Sequence, residues 1–141
     1  MRTKLLALTA TVFAILIGAS IVATHATHAQ TDRVFEMRTY TCNEGKLPDL
    51  LKRFREHTVA IFNRHHMTSI GYWVPQDAPR SADTLIYILA HPSRDAAKAN
   101  WAAFNSDPEW QKVRTESEAN GKIVNHVDSV FMNPADFSMI K

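Results

Sequence analysis

A single cysteine, Cys42, stands in the whole chain, which excludes a network of internal disulfides and leaves an intermolecular bridge or a buried or free thiol. Glycine is scarce as well: the four residues form neither a phosphate-cradling loop nor a dinucleotide fingerprint, so nucleotide chemistry is disfavoured. No Ser-His-Asp order and no Cys-His pair appears, which disfavours nucleophilic catalysis. The histidines include no His-x-x-x-His pair on a helix and are joined by no acidic cluster, so neither a metal nor another cofactor is expected. There is no basic block, hence no indication of nucleic acid, and no repeat or low-complexity tract. With 45% hydrophobic and 21% charged residues the 141-residue chain is ordinary globular material, enough for one domain.

One long apolar run is present, Leu5 to Ala23, after Arg2 and Lys4 and before Thr24-His-Ala-Thr-His-Ala29. Small residues at Thr27 and Ala29 suit a signal peptidase, so residues 1–29 are expected to be a signal peptide, cleaved after Ala29 or, second, after Ala26. An uncleaved membrane anchor is the alternative, because 19 mostly apolar residues approach the length of a bilayer span. Export to the periplasm or beyond follows, with no membrane contact once the segment is removed. Residues 1–29 hold two of the 16 basic residues and none of the 14 acidic ones, so the domain, 30–141, is balanced and its charge says little about partners.

Within the domain, Val34 to Thr41 alternates, with Phe35, Met37 and Thr39 on one side and Glu36, Arg38 and Tyr40 on the other, as a strand does. Asn43-Glu-Gly45 turns the chain into a helix from Lys46 to about His66, with a stripe of Leu47, Leu50, Leu51, Phe54, Ile61 and Phe62. Strands are expected at Ile70–Val74 and Thr84–Ala90 around a proline-containing loop. Ser93 caps a helix beginning at about Arg94, whose inward side is expected to be Ala96, Ala99, Asn100, Ala103 and Phe104. Asp107 and Pro108 repeat the start signal for a helix that turns Trp110 and Val113 inward and stops by Gly121. Ile123–Asn133 is a last strand, broken near His126 and ended by Pro134. The order βαββαβ is that of the ferredoxin-like α+β fold, a four-stranded antiparallel sheet with helices on one face. Tyr40, Trp73 and Tyr87 are placed on the other face, an apolar patch that a second copy would cover by closing a homodimeric barrel.

Phe35-Glu-Met-Arg-Thr-Tyr40, Gly71-Tyr-Trp73 and Asp107-Pro-Glu-Trp-Gln111 resemble the NIPSNAP family's Glu-Leu-Arg-x-Tyr start, Gly-hydrophobic-Trp strand and Asp-Pro-x-Trp segment, over residues 34–134. Met37 stands where the family usually has leucine. The resemblance implies a dimeric α/β barrel of ferredoxin-like halves and assigns no reaction. Proteins sharing only the barrel include small monooxygenases and haem-handling enzymes, so an axial histidine is a matter of fold analogy alone.

Arg38 and Tyr40 are the catalytic candidates: a cation to anchor an anionic ligand and a phenol to handle a proton. The stronger reading of the Glu36–Arg38 pair is structural, an interface ion pair fixing dimer register. The candidate ligand site comprises Arg38, Tyr40, Trp73, Asn100, Trp101 and Trp110, between sheet and helices; the aromatics at these spacings also suit plain core. Asn100, within the alanine stripe, needs a partner for its amide. Each of the five histidines of the domain is expected to be solvated or at the core edge. The leading expectation is a binder of a small apolar or aromatic ligand, with a cofactor-free monooxygenase or isomerase and a protein-interaction module as alternatives.

Overall fold

The structure, a computed structural model, describes residues 33–141. The signal-peptide expectation for residues 1–29 lies outside the described residues. Strand β1 (Val34–Cys42) leads into α1 (Leu47–Arg53), a π-helical turn (Phe54–Thr58) and α2 (Val59–Arg64). Then come β2 (Thr68–Trp73), β3 (Thr84–His91), α3 (Arg94–Ser106), α4 (Pro108–Ser117) and β4 (Val124–Met132). The sheet order is β2-β3-β1-β4 and every pairing is antiparallel, which is the expected ferredoxin-like α+β arrangement.

Local chemistry sets most boundaries where the sequence places them. The Ser93 hydroxyl accepts from the Ala96 backbone N–H at 3.1 Å, and the Asp107 carboxylate accepts from Glu109 N–H at 2.8 Å, with Pro108 following as the first helical residue. The expected break near His126 is a bulge: Thr41 pairs with His126 but Cys42 with Val124, leaving Asn125 unmatched. The first helix is less regular than its stripe implies. At Thr58 the hydroxyl donates to the Arg53 carbonyl five residues back, 3.2 Å away, within the π-helical turn. That turn keeps Phe54, Thr58, Ile61 and Phe62 all buried.

Two expectations about faces are overturned. Tyr40 and Tyr87 lie beneath the helices, not on the open side: Tyr40 meets Phe54 at 6.0 Å and Tyr87 at 5.2 Å between ring centroids, and Tyr87 is fully buried. Glu36 and Arg38 share that covered face, so their ion pair is internal to the fold. The open face instead carries Met37, Ile86, Ile88 and Val130 in register, with Trp73 paired to Ile86 and its ring lying across Gly71, where a Cβ would come within 2.6 Å of it. Both sets of alternate residues are rich in apolar groups, so alternation alone did not say which set the helices cover.

On α3 the inward side is Ala97, Trp101 and Phe104, while Ala99 and Ala103 are exposed. The stripe is rotated towards the residues with the larger apolar area, which gain more from burial than alanine does. The core is Leu50, Phe54, Ile61, Phe62, Leu85, Tyr87, Leu89, Phe104 and Ile123. Cys42 is buried there, and burial together with Asp83 pushes its thiol up to about 11 against the opposing effect of Arg53, so it is no nucleophile near neutral pH.

Candidate functional site

The covered face of β1 places three functional side chains in a row, Glu36, Arg38 and Tyr40, each two residues from the next. Glu36 is 1% exposed and receives four donors. Trp101 Nε1 donates to its Oε2 at 2.6 Å and Ser129 Oγ to its Oε1 at 2.7 Å, while Arg38 donates to Oε1 at 2.8 Å and His91 Nε2 lies 3.2 Å from Oε2. Burial alone would raise the Glu36 carboxyl, but the hydrogen bonds from His91, Trp101 and Ser129 and the Arg38 charge prevail and bring it down to about 2. Glu36 is therefore a carboxylate that fixes the neighbours around it rather than a proton carrier near neutral pH.

Arg38 is held between Glu36 and the Trp101 ring, its guanidinium carbon 4.1 Å from the ring centroid, and lies 5.6 Å from the Tyr40 centroid. Its Nε is buried without a partner among the described residues. Beyond Tyr40 an open-sided gap of about 220 Å³ separates β1 and β4 from the π-helical turn and α4, walled by Tyr40, Phe54, Phe62, Phe104 and Trp110. Trp110 packs on Phe104 with the rings tilted and their centroids 4.5 Å apart, and Asp107 sets the angle of α4 by accepting from His65 Nε2 at 2.6 Å and from Arg64 at 2.8 Å. Those two partners hold the Asp107 carboxylate well below the usual range. The specific Asp-Pro-x-Trp segment is thus a cap that delivers Trp110 to the gap.

Of the six residues expected at the site, Tyr40 and Trp110 line the gap, while Arg38 and Trp101 pack on each other beside Tyr40 and outside its wall. Trp73 lies on the opposite face of the sheet, and Asn100 finds its partner elsewhere, donating at 3.4 Å to the carbonyl of His66. Sequence reasoning missed His91 and Ser129. His91 is fully buried rather than solvated or at the core edge, and its signal was the alternation of β3, which puts it on the same face as Leu85, Tyr87 and Leu89. Ser129 left no signal beyond its place on β4. Among the described residues, no group of three His, Cys, Asp or Glu is placed to hold a metal, and no helix is long and apolar enough to cross a membrane.

A four-stranded antiparallel sheet, helices on one face and an aromatic gap between the layers define a ferredoxin-like domain of the type found in small α/β barrel proteins. Within that class the chain belongs to the NIPSNAP family, whose model matches residues 35–139. Among solved structures it is similar to a NIPSNAP family protein of unknown function from Agrobacterium tumefaciens, at 24% identity over 81% of this chain and 98% of that one, with a TM-score of 0.68. It is also similar to an uncharacterised NIPSNAP domain protein from Burkholderia xenovorans, at 25% identity over 74% and 97% of the two chains, TM-score 0.63. A monooxygenase from Streptomyces coelicolor, solved with Nanaomycin D, shares the fold at 14% identity, 77% and 92% coverage and a TM-score of 0.54. No curated protein matches the chain.

Proposed function

We propose that this NIPSNAP domain binds a small, largely apolar or aromatic molecule in the gap beside Tyr40 and Trp110. The observation that carries the reading is the unfilled space of about 220 Å³ among five aromatic side chains. An engineered apolar cavity of about 150 Å³ takes a benzene ring, whereas drug-sized sites run to roughly 300–1,000 Å³. The gap therefore suits a single substituted ring. In its wall Arg53, Arg114 and Lys122 outnumber Glu118, which favours a ring with a phenolate or carboxylate edge.

A second reading, a cofactor-free monooxygenase or isomerase, has its support in the position of Tyr40, a phenol at the wall of the aromatic gap. By fold alone, the Streptomyces coelicolor monooxygenase and a cofactor-independent oxygenase from Streptomyces nogalater, 14% identical with a TM-score of 0.51, stand beside it. Homodimerisation through the open sheet face is part of the proposal, supported by Trp73 and Val130, each about half exposed on that face. Export is carried over from the sequence, and the mass of the mature protein tests it.

The experiment titrates the purified protein with phenol and hydroquinone, following tryptophan fluorescence and oxygen uptake. Saturable binding is expected, abolished by Val127→Trp, which fills the gap from the edge strand, and unaffected by Trp73→Ala. Turnover of hydroquinone lost in Tyr40→Phe favours the enzyme, and binding without turnover favours the binder. Absence of saturation up to about 10 mM, a binding free energy near −3 kcal/mol, overturns both and leaves the interaction module.

A further inference from the structure

At the far end of β3 from the aromatic gap, a second hollow of about 480 Å³ has Arg33, Met67, Ala90, His91 and Pro92 in its wall, with Asn63, His66 and Thr68 as its other polar groups. His91, the last residue of β3, is fully buried. Its Nε2 faces Glu36 Oε2 at 3.2 Å, and its Nδ1 has no hydrogen-bond partner among the described residues. A buried nitrogen left unmatched is costly, so such groups point to a missing partner. The tautomer follows from the neighbours. Glu36 as a carboxylate only accepts, so the imidazole proton sits on Nε2. Nδ1 is left as an acceptor. At the rim, the one side-chain hydrogen bond of Arg33 among the described residues goes from NH1 to the Lys141 carbonyl at 3.3 Å, leaving most of its donors available.

We propose that this hollow is a binding site for a small hydroxy acid, its hydroxyl donating to His91 Nδ1 and its carboxylate held by Arg33. The carbon skeleton would rest on Met67, Ala90 and Pro92, the apolar part of the wall. A simple carboxylic acid lacks the donor that Nδ1 requires, and a simple alcohol lacks the charge that Arg33 recognises. The site is separate from the aromatic gap and does not depend on what that gap holds.

The test is nitrogen NMR of the purified protein with labelled histidine, titrated at neutral pH with lactate, propionate and 2-propanol. Without ligand His91 is expected as the Nε2-protonated tautomer. Lactate should shift Nδ1 with a half-saturation about tenfold below those of propionate and 2-propanol, the factor of one matched hydrogen bond. Arg33→Gln, at the rim, should raise the lactate half-saturation about tenfold without changing the tautomer. His91→Gln would remove the lactate preference over propionate if it folds, and Arg33→Gln decides the matter if it does not. A His91 ring carrying two protons, equal binding of lactate and propionate, or no shift up to about 100 mM lactate overturns the proposal.

Discussion

Along β1, Glu36, Arg38 and Tyr40 turn under the helices while Phe35, Met37 and Thr39 turn away from them. Along this strand the covered side thus holds a buried carboxylate with its donors, and the open side holds mostly apolar residues. In a sheet with one wet side the distribution would be reversed. The contrast teaches that neither face of this sheet is an ordinary solvent face: one joins the aromatic core to a polar cluster desolvated by helices, the other is an apolar layer. Charge on the covered face is tolerable because every donor aimed at Glu36 finds it. Removing the acceptor is therefore far worse than removing a donor.

The largest expected effect comes from breaking the covered face at its centre. Glu36→Leu leaves Arg38 buried without its counter-charge and Trp101 Nε1 without an acceptor, and should cost about 3–5 kcal/mol in urea unfolding. Acid should reach the same cluster more gently. The Glu36 carboxyl lies near 2 in the fold against 4.5 ordinarily, so its contribution is complete above about 4.5 and is lost as pH falls towards about 2. A few kcal/mol of stability should disappear over that window, and Glu36→Leu should flatten this part of the pH profile.

The open face sharpens the contrast when charged instead. Val130→Lys is expected to leave the fold of one chain stable to within about 0.5 kcal/mol, since the residue is half exposed, while abolishing self-association in sedimentation experiments. A wild-type protein that stays monomeric at high concentration would remove the open face as an interface. A small effect of opposite sign is expected at Tyr87, whose hydroxyl is buried without a hydrogen-bond partner among the described residues and whose phenol burial pushes well above its usual range. Tyr87→Phe discards only that unmatched group and should be neutral or stabilising by up to about 1 kcal/mol in the same unfolding assay.

Much of this architecture was readable in the residues themselves. Ser93, Asp107 and Pro108 announce two helix starts because capping is a contact between neighbours in the chain, and the hydrophobic periods of β1 and β3 give strands within a residue or two. Half of the site was legible for the same reason: Arg38 and Tyr40 share a side of β1 by alternation alone. The assignment failed at α3, where a narrow alanine side and the broader Ala97-Trp101-Phe104 side are both helical stripes. It failed again for Tyr40 and Tyr87, because alternation sets them on one side of the sheet without saying which side the helices cover.

By itself the sequence determined the βαββαβ order, the caps and the membership of a family, because each rests on residues near one another along the chain or on a motif preserved in order. Only the tertiary structure decided that the charged side of β1 goes inward. That choice depends on Trp101, Ser129 and His91, 65, 93 and 55 residues from Glu36, arriving around one carboxylate, and no local pattern encodes such a meeting.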